Sequence, residues 1–255
     1  MNPSDLRIIV TGAAGGLGSH FCKALVEAGA QVAAFDVQRD GLAQLARDCR
    51  GLAGKLHGFE VDVARASDVA ERVEQAARDL GGLNALVNNA GIARDGHLVK
   101  VDDRRGDILK MPREQWQKVI DINLTAPFYL AREVAAHLIE HRVRPGLIVN
   151  ITSISRHGIA GQANYSAAKA GLTVSTRVWA QELAPFGIRV AAIAPGFIRT
   201  SFVNAMDPVT RDATIGRIPL GRLGEPAEIY AALRFIIDCD YFTGRCVDVD
   251  GGLGV

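Results

Sequence analysis

Tyr165 and Lys169 lie four residues apart, a spacing that puts both side chains on one face of a helix and lets them act as a unit. Such a unit suits proton transfer at a carbonyl oxygen. A phenol titrates near pH ~10 and is a poor acid-base group at neutrality, but a neighbouring ammonium stabilises the phenolate and brings it toward the working range. Upstream, Asn150-Ile151-Thr152-Ser153 closes the apolar run Leu147–Val149 and offers the Ser153 hydroxyl where a strand meets a loop, placed to polarise the same oxygen.

Those groups need a frame to hold them. With 255 residues, 48% of them hydrophobic, the chain can bury a large core and sits at the upper end of single-domain size. Short β-branched runs at Arg7–Thr11, Gln31–Phe35, Leu56–Val61, Leu83–Val87, Leu147–Ile151, Ile188–Ile193 and Cys246–Val249 read as strands. Between them, His20–Ala28, Ser67–Leu80, Arg113–Glu140, Asn164–Leu183 and Pro226–Asp238 carry helical periodicity. Pro127 should kink or divide the third of these near Leu124–Ala126. The alternation predicts an α/β fold: a Rossmann-like doubly wound sheet of seven mostly parallel strands, helices on both faces, one domain spanning residues 1–255. Gly12, Asp36, Asp62, Asn89, Ser153 and Pro195 each follow a strand's carboxyl end, the edge at which such sheets bind ligands.

Thr11-Gly12-Ala13-Ala14-Gly15-Gly16-Leu17-Gly18 joins the first strand to the first helix. Missing side chains there let backbone amides approach a pyrophosphate at a positive helix terminus. Asp36 ends the second strand, where a carboxylate accepts hydrogen bonds from adenosine ribose hydroxyls and repels a 2′-phosphate. That favours NAD(H) over NADP(H), although Asp36, like Asp40, is also able to cap the next helix. Asp62 and Val63, after the third strand, are placed to contact adenine, with a capping role for Asp62 equally open.

Composition excludes other classes. A net charge of +1 recommends no polyanion, so nucleic-acid binding is disfavoured. Cys22, Cys49, Cys239 and Cys246 form no Cys-x-x-Cys pair and read as reduced thiols of a cytoplasmic protein without a metal site. Met1–Asp5 lacks a secretory pattern, and no run of eighteen apolar residues suggests a membrane span.

Taken in order, Thr11-Gly-x-x-x-Gly16-x-Gly18, Asn88-Asn89-Ala90-Gly91, Asn123, Ser153, Tyr165-x-x-x-Lys169 and Pro195-Gly196 resemble the short-chain dehydrogenase/reductase family over essentially the whole chain. Within it the chain looks most like the 3-oxoacyl-[acyl-carrier-protein] reductase branch of fatty acid metabolism. The segments that carry this are Asn164–Gly171, Ala194–Ile198, Pro219–Gly224 and Asp248–Gly252. The resemblance implies that Tyr165 is the general acid-base, Ser153 the carbonyl-orienting hydroxyl and Lys169 a modulator of the phenol and a ligand of the nicotinamide ribose. It further implies that Asn123 holds a water in a proton relay, that Asn89 and Gly91 lie beside the cofactor, and that the Ile198 backbone and Thr200 hydroxyl fix the nicotinamide carboxamide. It also implies a homotetramer, built through the long helices and the carboxyl-terminal strand.

The chain departs from that branch in places. Gly15 stands where NADPH-dependent members carry a basic residue, and Pro185-Phe186 replaces basic residues that draw the acyl carrier protein, leaving Arg142 and Arg144 nearby. The substrate therefore stays open among a carrier-protein thioester, a coenzyme A thioester and a free ketone. A small secondary alcohol, steroid or sugar remains an alternative, as does a non-catalytic dinucleotide-sensing or scaffold protein. Residues 100–110 are longer than expected and suggest a hairpin at the active-site rim or a subunit contact. Residues 195–225 form the substrate loop, with Ser201–Arg217 read as a lid that turns Phe202, Val203 and Met206 toward the ligand. His97 and His157 also fall beyond strand ends, and His157 is placed to touch substrate.

Overall fold

The computed structural model describes residues 1–102, 105–200, 203 and 207–254. Its strands are β1 (Arg7–Thr11), β2 (Gln31–Asp36), β3 (Lys55–Glu60), β4 (Ala85–Asn88), β5 (Val99–Val101), β6 (Ile108–Lys110), β7 (Gly146–Ile151), β8 (Ile188–Pro195) and β9 (Cys246–Val249). Its helices are α1 (Gly16–Glu27), α2 (Arg39–Asp48), α3 (Ala66–Asp79), α4 (Arg113–Ile120), α5 (Ala126–Glu140), α6 (Ala163–Leu183), α7 (Pro208–Gly216) and α8 (Pro226–Asp238). Seven strands form one sheet in the order β3-β2-β1-β4-β7-β8-β9, and every neighbouring pair is parallel. The chain winds outward from β1 to β3, returns to β4 and winds the other way, so the switch point lies between β1 and β4.

Helices on both faces explain why the central strands read as continuous apolar runs rather than alternating ones. Ile8 and Val10 of β1 pack with Phe21 and Leu25 of α1 and Leu233 and Ile236 of α8. Ile9 points to the opposite face and joins Val69 and Val73 of α3 and Leu130 and Val134 of α5. All of these side chains are buried.

The structure revises two expectations and sharpens a third. The first helix begins at Gly16 rather than His20, because the last glycines of the loop already form its first turn. Helix α2 was not foreseen from periodicity; only Leu42 and Leu45 of its ten residues are buried. The long helical segment is divided near Leu124–Ala126, as Pro127 leads one to expect, but by a widened turn rather than a kink: residues Asp121–Thr125 form a π turn in which the Ala126 N–H bonds to the Asp121 carbonyl, and Pro127 sits in the first turn of α5. Pro127 has no N–H for the carbonyl of Asn123, four residues back, and its ring would strike that carbonyl in a regular helix, so the wider turn absorbs it.

The hairpin expected in residues 100–110 is present as β5 and β6, paired antiparallel with Val101 opposite Ile108. Asp103 and Arg104 at its tip lie outside the described residues.

Candidate active site at the carboxyl edge of the sheet

The glycine loop is set by sterics. Gly12 has φ +62, and a Cβ there would lie 2.9 Å from Ala90 Cα in the loop after β4. A Cβ at Gly18 would run into the Gly12 carbonyl oxygen, so helix and loop close on each other only with glycine at that position. Leu17 packs partly buried against the core, and Gly16 faces the Thr200 side chain across the crevice. Thr11 closes the floor. Its Oγ1 accepts the N–H groups of Asn89 and Ala90 at 3.0 and 2.9 Å, while Asn89 Nδ2 donates to the Thr11 and Gly12 carbonyls. Asn89 thus buckles the β1 and β4 loops together, a role in backbone satisfaction.

Asp36 is almost fully buried at the end of β2. Its two carboxylate oxygens accept the Ala14 and Gln38 N–H groups, each at 2.9 Å, so a negative charge is fixed against the glycine loop. Asp62 is exposed and accepts the Ala64 N–H at 3.1 Å, shaping the turn after β3. The Val63 side chain packs into the core beside Phe59 and Val69, so any contact it makes at the edge is through its backbone.

On the other side of the switch point, the sheet and two helices converge. Ser153 follows β7, and its Oγ accepts the Ser155 N–H at 3.1 Å, which leaves the hydroxyl proton available. That hydroxyl hydrogen-bonds the Tyr165 phenol from α6 and favours its ionised form, but burial pushes the phenol above its ordinary value and prevails. One turn on, Lys169 is buried with its Nζ 5.6 Å from the centre of the Tyr165 ring and 2.7 Å from the Ile151 carbonyl oxygen. Burial pulls Lys169 down to about 8, and the phenol's own burial holds it above its ordinary value, against the lowering expected from the sequence.

Asn123 comes from the π turn. Its Nδ2 donates to the carbonyls of Val119 and Ile92, both at 2.9 Å, while its Oδ1 is buried without a partner among the described residues. Asn123 Oδ1 and Lys169 Nζ both face the space over Gly91, where a Cβ would lie 2.6 Å and 3.6 Å from them.

Pro195 ends β8, and the next residues are tied down. Ile198 is buried and bridges Gly224, Arg199 N–H reaches the Gly224 carbonyl at 2.8 Å, and Arg199 pairs with Glu225 at 2.7 Å. Within the expected lid, Val203 packs inward rather than turning toward a ligand. It is buried with Ile218 and Leu223 in a small cluster, because an apolar residue there completes packing beneath the segment. Ser201, Phe202 and Met206 lie outside the described residues. His157 lies in a small cleft with Asp248 and Asp250, and His97 is exposed.

The family model described as enoyl-(acyl carrier protein) reductase matches residues 12–254. The 3-oxoacyl-[acyl-carrier-protein] reductase FabG of Thermotoga maritima is 37% identical over 96% of each chain, and that of Vibrio cholerae is 36% identical over 99% of each. Nodulation protein G of Azospirillum brasilense is 38% identical over 96% of both chains. A solved short-chain type dehydrogenase/reductase from Mycobacterium marinum superposes with a TM-score of 0.87 at 32% identity, covering 98% of this chain and 95% of that one. This chain belongs to the short-chain dehydrogenase/reductase family.

Membership makes it an oxidoreductase with a nicotinamide dinucleotide cofactor. The residues present fit that group: the side-chain-free cradle at Gly12–Gly18 lies beside the fixed Asp36 charge, and the orphaned Asn123 Oδ1 and buried Lys169 Nζ share the space over Gly91. No group of three or more His, Cys, Asp or Glu among the described residues is arranged to hold a metal ion. No described helix is long and apolar enough to cross a membrane.

Sequence reasoning passed over four residues that border this centre: Asp95, Ser155, Gln162 and Asn164. Asn164 is buried, donates from Nδ2 to the Arg94 carbonyl at 3.1 Å and accepts the Tyr165 N–H at 2.8 Å. The signal available was proximity to Tyr165 in Gln162-Ala163-Asn164-Tyr165.

Proposed function

We propose that this protein is an NAD(H)-dependent oxidoreductase that interconverts 3-oxoacyl and 3-hydroxyacyl thioesters. The observation that carries the reading is the meeting of Ser153, Tyr165, Lys169 and the orphaned Asn123 Oδ1 on the edge that also holds the glycine cradle. The thioester substrate rests on the reductases named above, which match nearly the full chain.

When bound, the reduced nicotinamide supplies the hydride that the carbonyl carbon receives. Ser153 Oγ, its lone pair engaged by the Ser155 N–H, directs its own proton at the carbonyl oxygen. Tyr165 gives that oxygen its proton as charge develops there, leaving a phenolate and an alcohol. Lys169, charged below about pH 8, stabilises the phenolate and binds the ribose, and Asn123 Oδ1 anchors the path that returns a proton to Tyr165. Oxidation runs the same steps backward, with the phenolate as base.

The preference for NAD(H) rests on Asp36, whose buried carboxylate would meet a 2′-phosphate with like charge. Gly12, Gly16, Leu17 and Gly18 would receive the pyrophosphate, Asp62 and the Val63 backbone the adenine, Asn89 and Gly91 the ribose side. Pro195, Ile198 and Thr200 would hold the carboxamide. Residues 195–225 act as the substrate lid of a single domain.

Phe186, exposed at the turn after α6, offers no basic contact for an acyl carrier protein and leaves a coenzyme A thioester or a free ketone as substrates to be tested beside it. Exposed Trp116, Phe128, Val174 and Val178 on α4, α5 and α6 support a homotetramer assembled through those helices. Four free thiols agree with a cytoplasmic setting.

The test is loss of reduced-nicotinamide absorbance with NADH and NADPH separately, on an acetoacetyl thioester and a panel of ketones. Faster turnover of the thioester with NADH supports the proposal. Turnover of ketones alone transfers it to small alcohols, and binding without turnover transfers it to a dinucleotide sensor.

A further inference from the structure

The loop after β4 carries a carboxylate whose connections lead into the catalytic centre. Asp95 Oδ2 accepts from Gln162 Nε2 at 3.0 Å, Gln162 Oε1 accepts the Ser155 hydroxyl at 2.9 Å, and the Ser155 N–H donates to Ser153 Oγ at 3.1 Å. Three hydrogen bonds, the last two joined through the covalent frame of Ser155, thus lead from an acidic side chain to the hydroxyl that faces Tyr165.

The loop is held for this purpose from both sides. Gln115 of α4 donates to the Arg94 and Asp95 carbonyls at 2.8 and 3.2 Å, and Asn164 of α6 donates to the Arg94 carbonyl. Next along, Gly96 pairs with the start of α6 through its N–H to the Gly161 carbonyl at 2.7 Å, in a bridge with Gln162. Asp95 is exposed, and its Oδ2 is held by the neutral Gln162 amide. Among the described residues, Asp95 from this loop adds a small charge effect on Tyr165, Lys169 from its own helix lies 5.6 Å from the ring centre, and the turn after β7 contributes the Ser153 hydroxyl.

We propose that Asp95, acting through Gln162 and Ser155, is a positioning residue of the catalytic centre: its hydrogen-bond chain holds the turn after β7 so that the Ser153 hydroxyl meets the reacting oxygen. The proposal rests on the role given to Tyr165 above and adds a direction to it. A centre whose phenol retains its proton is loaded for carbonyl reduction, in which Tyr165 must donate, and holds little of the phenolate that oxidation needs until the pH rises. The negative charge opposes phenolate formation, and its contribution to Tyr165 has that sign.

The experiment compares the wild type with Asp95→Asn, Asp95→Glu and Gln162→Met. Two readouts are used: the pH dependence of kcat/KM in the oxidation direction, and the ultraviolet titration of Tyr165, isolated by subtracting Tyr165→Phe. Asp95→Asn should move both the acid limb and the Tyr165 midpoint to lower pH, and Asp95→Glu should restore the wild-type positions. Gln162→Met, which keeps bulk and removes both side-chain bonds, should lower kcat at least about tenfold while leaving dinucleotide affinity unchanged. An undiminished kcat in Gln162→Met, or equal displacement by Asn and Glu, would overturn the proposal. The titration reads the phenol without turnover, so absence of activity in the wild type would count against the function proposed above and leave this test able to decide.

Discussion

On the β1 side of the switch point the site is built from main chain. Gly12 and Gly18 make room, Thr11 and Asn89 pin two loops, and the Asp36 carboxylate is clasped by two backbone N–H groups. On the β7 side it is built from side chains that are costly to bury: Lys169 with one carbonyl partner, Tyr165 desolvated, and Asn123 Oδ1 without a partner among the described residues. The first arrangement holds a ligand that does not change during the reaction. The second surrounds Tyr165, whose charge must change, and such a group needs surroundings that leave neither protonation state deeply favoured.

If this contrast is right, replacements on the two sides should fail differently. Lys169→Met should lower kcat about 100-fold or more while leaving the fold intact. The same variant checks the burial cost. Lys169 is pulled down to about 8 from an ordinary 10.5, so between those values the unfolded chain binds the extra proton and wild-type stability rises with pH. The stability of the variant relative to wild type should therefore fall from pH 8 to 10.5, by up to about 3 kcal/mol. A constant difference, measured by thermal unfolding across that range, would contradict it.

Gly18→Ala should act on binding rather than on chemistry. Its methyl meets the Gly12 carbonyl, so it should destabilise the chain by about 1–3 kcal/mol and abolish dinucleotide binding, read by calorimetry. Asp36→Ala should leave kcat within a few fold and shift the ratio of NADH to NADPH affinity toward NADPH by about tenfold, near 1.4 kcal/mol. An unchanged ratio would remove Asp36 from cofactor selection.

The smallest effect belongs outside both halves. Glu228 is held down to about 2 by bidentate Arg222 and the Glu225 N–H, and the pair is exposed. Its contribution is present above about pH 4.5 and lost as pH falls through 2. Glu228→Gln should cost under about 1 kcal/mol at neutral pH by chemical denaturation, with activity unchanged.

The sheet was legible because its central strands are short apolar runs bounded by turns, and the observed limits of β1, β7 and β9 fall within a residue or so of those read from sequence. Helix α2 was not, since two buried leucines give too weak a stripe. Tyr165, Lys169 and the glycine loop were legible because local spacing encodes them. Asp95 and Gln162 were not, because their relation spans 67 positions and exists only once the loop after β4 folds against α6. The π turn at Asn123 escaped for a related reason: proline marks a disturbance without saying whether the helix breaks or widens.

The central claim is that Tyr165 moves the proton while cofactor binding does not depend on its hydroxyl. Its most direct test is NADH affinity and single-turnover hydride transfer to an acetoacetyl thioester, measured on the same preparations of wild type and Tyr165→Phe. The account predicts equal NADH affinity and a transfer rate lower by at least about 100-fold in the variant. Transfer within tenfold of wild type, or a parallel loss of NADH binding, would contradict it.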